Sequence, residues 1–213
     1  PPRSTLFPYT TLFRSAILLC VAASLGSHSR GALLAMGAMG AAFWWYGGRR
    51  LGILLGVLLV VVAGLMFLPE HWFARMSTIS EYQADASAMG RINAWWMAWN
   101  LASDRFFGGG FEIYDLNTFA LYAPDPEDVH AAHSIYFQVL GEHGFVGLFL
   151  FLTLWFLVWR NAGRLRREAR KEPHTQWLSD LGAMCQVSLV GYAVGGAFLS
   201  LAYFDLPYNI LVM

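Results

Sequence analysis

Charge is scarce in this chain. Asp, Glu, Lys and Arg make up 13% of its 213 residues, against 57% hydrophobic and 16% aromatic, whereas a soluble domain usually carries about a quarter charged residues. The apolar excess is expected to face lipid. The 14 basic and 14 acidic residues cancel to a formal net charge of zero, so the total points to no nucleic-acid partner. Cysteine is scarce too. Cys20 and Cys185 both fall inside apolar runs, where they read as small buried hydrophobes rather than a disulfide pair or metal ligands. P-loop, dinucleotide-binding and HExxH motifs are all missing, and no cofactor is expected. The long apolar runs also lack Asp, Glu, Lys and Arg in their cores. Transporters and proton pumps generally need ionisable groups at membrane depth, so a transport role loses ground.

What is present is a series of runs long enough for membrane helices, which need about 20 mostly apolar residues. Residues 31–48 and 51–68 are uncharged over 18 residues each, and 181–204 over 24. Residues 16–25 read as the stump of an earlier span. Residues 145–159 number only 15, so that helix is expected to begin earlier, within 133–144. Residues 206–213 read as the opening of a further span. Before Ala16, the stretch TLFPYTTLFRS at 5–15 looks like a translated short-read sequencing adapter, and residues 1–15 are expected to be an artefact. The chain is thus expected to be a fragment, shortened at both ends.

Basic residues set the orientation, because cytoplasmic connections retain Lys and Arg. Arg49 and Arg50 form one such connection; Arg160, Arg164, Arg166, Arg167, Arg170 and Lys171 form another, within a cytoplasmic loop at 160–177. Counting spans from these anchors puts residues 26–30, the long stretch 69–144 and the Asp205 turn on the opposite face. The 69–144 stretch holds ten acidic residues against Arg75, Arg91 and Arg105. The resulting division is transmembrane helices at 16–68, a periplasmic loop domain at 69–144, and transmembrane helices at 145–213. The fold class expected is all-α: a polytopic transmembrane helical protein with a long, partly helical periplasmic loop.

A connection of 76 residues is far longer than ordinary and is expected to carry structure or function. Ser87 is placed to cap a helix running to about Phe107, with Ile92, Trp95, Trp96 and Trp99 at helical spacing and glycines 108–110 ending it. Tryptophan at this density suits the headgroup layer, so the helix reads as an interfacial anchor, a role compatible with a lid over a lipid-linked substrate.

The polar candidates gather on the loop side: Arg30 at the end of a span, Arg91 in the Trp-rich helix, and His130, His133 and Glu142 before the next span. Each has a plainer alternative. Arg30 reads equally as a flanking charge reaching the headgroups, and Arg91 as a cation–π partner of Trp95 one turn on. His130 and His133, in H-A-A-H beside Asp125, Glu127 and Asp128, read better as surface histidines than as metal ligands; no metal is expected.

Their order in the chain carries more than any one of them. Ser29-Arg30-Gly31 precedes an apolar span, Gly90-Arg91 opens the loop helix, and glycines 108–110 lead to Phe111. Ala132-His133-Ser134 then runs into Leu140-Gly141-Glu142-His143-Gly144 and a new span. From about Ser24 to Trp159 this pattern resembles the O-antigen ligase family. The wording HSIYFQVLGEHGFVGL looks most like its O-glycosylation ligases associated with the exosortase A system.

The resemblance implies a glycosyltransferase of the bacterial inner membrane, multi-pass, with its active site facing the periplasm. It implies transfer of a glycan from undecaprenyl diphosphate to an acceptor hydroxyl, on lipid A core, a protein or a polysaccharide, without metal or nucleotide. Arg30 and Arg91 match the family's arginines, which grip diphosphate oxygens. His133 matches its loop histidine, a general base for inverting attack, with Glu142 and His130 in support. Two alternatives stand beside this: an O-antigen or exopolysaccharide polymerase, and a non-catalytic subunit of a polysaccharide export or assembly system.

Overall fold

The computed structural model describes residues 7–27, 29–46 and 86–212. The expected span at 51–68, the Arg49–Arg50 turn and the loop up to residue 85 lie outside the described residues. All regular elements among the described residues are helices, making the fold all-α: α1 (Phe7–Gly26), α2 (Arg30–Tyr46), α3 (Ala86–Asp104), α4 (Leu116–Tyr122), α5 (Ile135–Ala169), a 3-10 turn (Pro173–Thr175), α6 (Gln176–Gly196) and α7 (Asp205–Val212). α1 takes in residues 7–15 of the adapter-like stretch.

Among the described residues, α5 is the one helix long and apolar enough to cross a membrane. It begins at Ile135, inside the window expected, and its 35 residues include a break at Gly144. Residues 145–169 beyond that break reach about 37 Å at about 1.5 Å each, longer than a hydrocarbon core of about 30 Å, and the arginine-rich stretch 160–169 continues the helix where a loop was expected. Phe149, Leu150, Phe156 and Leu157 lie exposed along it, as lipid contact requires.

α6 runs antiparallel to α5. Near one end a Cβ on Gly196 would fall 2.6 Å from Ile135, and Tyr136 donates to the Ala193 carbonyl at 2.8 Å. Further along, Gln186 donates to the Trp159 carbonyl at 3.2 Å. α2 lies against α6 with opposite direction, Gly31 beside Phe198, Ala35 beside Gly195 and Met39 beside Gly191. Small residues at these crossings let helices approach without a hydrophobic driving force, the usual solution in lipid. The guanidinium of Arg166 sits 4.1 Å from the Tyr46 ring centroid, so α2 ends at the basic end of α5. α6 stops at Gly196, eight residues short of the expected limit at 204. The pair Gly195-Gly196 is a poor helix former, and Phe198 and Leu199 bond back to the carbonyls of Gly195 and Gly196 in tight three-residue turns.

The loop domain has its own core of Ala94, Met97, Leu101, Ile113 and Phe119. α3 supplies the first three at helical spacing, α4 the last; Asp115 caps α4 by accepting from the Thr118 amide at 2.9 Å. α3 ends at Asp104, three residues before the expected limit, and Ser87 lies within its first turn rather than ahead of it.

The loop joins the span at a break. Gly144 interrupts α5 with φ 66 and ψ −165, a conformation open essentially to glycine alone. Helical bonds lost there are replaced from the glycine run: Gly109 N–H donates to the Gly141 carbonyl at 2.9 Å, Gly110 N–H to the Glu142 carbonyl at 2.9 Å, and Phe145 N–H to the Phe106 carbonyl at 3.1 Å. Unpaired backbone groups in a buried setting are costly, and this exchange leaves these three bonded. The approach is so close that a Cβ on Gly108 would strike the Gly144 amide and the Glu142 carbonyl. Glycines 108–110 therefore do not cap α3; they repair α5.

Candidate functional site

α3 and the segment entering α5 bring Arg91, His130 and His133 near one another at the loop end of the bundle. Buried Gly90 leaves room for the His130 ring, whose Nδ1 would otherwise lie 2.6 Å from a Cβ. His130 Nδ1 also pairs with Asp128 Oδ1 at 2.7 Å. One turn on, buried Asn93 holds the acidic turn through its amide: Nδ2 donates to the carbonyls of Asp125 at 2.7 Å and Asp128 at 3.0 Å, and Oδ1 accepts from the Asp125 amide at 2.9 Å. The acidic turn that the sequence left without a role is thus a structural brace for the histidine loop.

Trp95 does a similar job for His133. Its ring stacks on Phe137 at 4.9 Å, nearly parallel, and its indole N–H donates to the Ala132 carbonyl at 2.7 Å. Trp96 and Trp99, by contrast, are exposed, as an interfacial face would be. Among the described residues, Arg91 on Trp95 is not one of the cation–π pairs; Arg91 instead stands near enough to His133 for its charge to act there. Its buried Nε has no hydrogen-bond partner among the described residues.

His133 adopts φ 45, a left-handed backbone that non-glycine residues seldom take. Its half-buried ring places Nδ1 3.4 Å from Ser200 Oγ, in the turn after α6. Burial first, then the charges of Arg91 and His130, push its imidazole below the ordinary value of 6.5. The neutral ring, with one lone pair free to accept a proton, is therefore the form present near neutral pH.

Glu142 does not contact His133. It is 5% exposed and accepts a hydrogen bond from Tyr203 Oη, which also lies 2.9 Å from His143 Nε2. Tyr114 is close enough for Glu142 to add to the upward shift that burial imposes on its phenol. Arg30 is the first residue of α2, and its side chain lies outside what is described. Neighbouring Gly31 packs on Phe198, so the start of α2 borders the turn that carries Ser200 and Tyr203.

Ser200, Tyr203, Asn93 and the bonding role of Trp95 leave no local pattern in the sequence, since their partners lie 32 to 67 residues away. Among the described residues, no three His, Cys, Asp or Glu side chains converge in a metal-holding group. A hollow of about 460 Å³ lined by Leu157, Leu165, Leu181, Cys185 and Leu211 opens toward the basic end of α5, away from these residues.

A family model described as O-antigen ligase matches residues 15–152. No curated protein and no solved structure matches the chain. The match takes in Arg30, Arg91, His133 and Glu142, the glycine run and the α5 break, and spans well over half the chain. By that match the chain belongs to the O-antigen ligase family, integral membrane proteins of ligase or polymerase type.

Proposed function

We propose that this chain transfers a glycan from undecaprenyl diphosphate to an acceptor hydroxyl at the periplasmic face of the inner membrane, with His133 as general base and Arg30 and Arg91 holding the diphosphate. The observation that carries the proposal is His133 itself. Its imidazole, held below its ordinary pKa by burial first and then by the charges of Arg91 and His130, stands on a left-handed backbone beside an arginine whose buried Nε is unpartnered among the described residues, just ahead of the helix long and apolar enough to cross a membrane.

The chemistry needs little more than placement. As the acceptor oxygen attacks the anomeric carbon, its proton passes to His133. The bond from that carbon to the diphosphate oxygen breaks on the opposite face, and the diphosphate departs with the electron pair, inverting the configuration. Guanidinium groups offer paired N–H donors to phosphate oxygens and stabilise the charge that grows as the carrier leaves. The donor is already activated, so the protein's part is to orient two substrates. Lipid A core is the acceptor that the family implies in general, and protein or polysaccharide hydroxyls obey the same chemistry.

The test uses the full-length protein in membranes supplied with undecaprenyl diphosphate-linked glycan and lipid A core. His133→Asn is the informative variant, because asparagine tolerates a positive φ but is no base. Transfer is expected to fall by about 10²-fold or more, with carrier-linked donor accumulating and the protein still inserted. Arg91→Lys is expected to fail as well, since a point charge cannot reproduce bidentate contact. Wild-type transfer by His133→Asn removes the histidine from the mechanism. Elongation of the carrier-linked chain in place of transfer to lipid A core marks a polymerase.

A further inference from the structure

Between α6 and α7 the chain makes a turn, residues 197–204, that crosses the site and lies outside the family match. It is tied down along its length. Tyr192 Oη donates to the Leu201 carbonyl at 3.0 Å, Tyr208 Oη donates to the Ala202 carbonyl at 2.7 Å, and Ala202 is fully buried. At one end Ser200 Oγ meets His133 Nδ1; at the other Tyr203 bonds Glu142 and touches His143. Phe111 packs edge-on against both His143 at 5.2 Å and Tyr203 at 5.9 Å.

We infer that this turn is a positioning strap for the base, in which Ser200 selects the tautomer of His133 and Tyr203 anchors the strap on Glu142. The inference rests on the general-base reading given under the proposed function. A neutral imidazole carries its proton on one nitrogen and a lone pair on the other. With Nδ1–H donating to Ser200 Oγ, the lone pair sits on Nε2, the nitrogen left for the acceptor hydroxyl. The 3.4 Å separation is long, as such contacts often are before substrate binds. The charged and titratable groups that act on His133 are Arg91 from α3 and His130 from its own loop, while Asp128 is taken by His130. A hydroxyl partner thus orients the ring without the negative charge that would raise its basicity.

Hydrogen-bond accounting fixes the anchor. Tyr203 has one phenolic proton and gives it to Glu142, so the 2.9 Å contact with His143 Nε2 is a bond donated by His143. Burial, then Glu142, Tyr114 and Tyr208, push the Tyr203 phenol upward, so the anchor stays protonated across the working range. Glu142 thereby influences His133 through the strap, not by contact.

Ser200 is exposed, so Ser200→Ala leaves folding intact. In the full-length protein, with the same donor and lipid A core, Ser200→Ala is expected to lower kcat about tenfold with KM for the donor unchanged. The acid limb of its pH profile moves to lower pH, because the lost hydroxyl bonded the charged ring more strongly than the neutral one. Ser200→Thr restores both. Tyr203→Phe reproduces the kcat loss, and combining it with Ser200→Ala adds nothing, since both act through one strap. A wild-type kcat and pH profile for Ser200→Ala overturns the inference, as do losses that multiply in the double variant. His133→Asn run alongside separates the two readings: if it is inactive while Ser200→Ala is normal, the strap alone falls; if it is active, the general-base reading falls with it.

Discussion

His133 keeps a left-handed backbone at a cost of about 1–3 kcal/mol, so something nearby must hold it. The residues on either side do. Trp95 bonds the Ala132 carbonyl, and Ser134, 1% exposed, accepts the first helical bond of α5 from the Gln138 amide at 2.9 Å. Such a strained, braced base makes a pH prediction with a definite sign. Burial first, then the electrostatic influence of Arg91 and His130, lowers its pKa below 6.5, so the active neutral form persists under mild acid. Transfer is expected to decline only as pH falls through that lowered value, with the midpoint of the acid limb in kcat/KM, which reports the free protein, below 6.5. A midpoint at or above 7 contradicts the environment described for the ring. Arg91 and His133 were legible because each stands in a short motif in a fixed order. The stacked, bonded role of Trp95 was not: its spacing matches that of the exposed tryptophans, and only the distant Phe137 and Ala132 distinguish it.

On the scale of elements, the joint between glycines 108–110 and Gly144 decides whether the loop docks on the span. Both ends of the joint appeared in the sequence, but as the end of one helix and the approach to another. Local pattern carries no trace of hydrogen bonds exchanged between segments more than thirty residues apart. The two glycine classes predict different costs. Gly144→Ala combines φ 66 with a Cβ that would overlap the Phe106 carbonyl, and backbone cannot yield as a side-chain tip can. Loss of folded protein is expected, read as low yield of monodisperse protein in detergent. Gly110 has φ 85 but open space around its Cβ position, so Gly110→Ala is expected to cost only the left-handed penalty of about 1–2 kcal/mol and to lower the unfolding midpoint slightly. Equal behaviour of the two variants argues against the joint. The early end of α6 was legible in principle, since Gly195-Gly196 stands in plain sight; an unbroken run of apolar residues outweighed it.

For the whole molecule, the helix pairings and the charge distribution make one topological prediction. Tyr46, the last residue of α2, meets Arg166 in the last turn of α5, and α6 runs opposite to both. The C-terminal ends of α2 and α5 therefore lie at one end of the bundle, and their N-terminal ends at the other. In the sequence, basic residues crowd the stretches after α2 and α5 and acidic residues the stretch before α5, so by the retention of Lys and Arg the first end is expected to be cytoplasmic. Single cysteines report this directly once Cys20 and Cys185 are replaced by alanine. Ser27→Cys, before α2, and Glu127→Cys, in the loop, are both exposed and are expected to react with a membrane-impermeant maleimide on intact spheroplasts. Lys171→Cys, equally exposed and just beyond α5, is expected to react only after permeabilisation. Labelling of Glu127→Cys and Lys171→Cys from the same side means that α5 does not cross. Labelling of Ser27→Cys from the side opposite Glu127→Cys breaks the shared face on which Arg30, Arg91 and His133 must meet, and the proposed site with it.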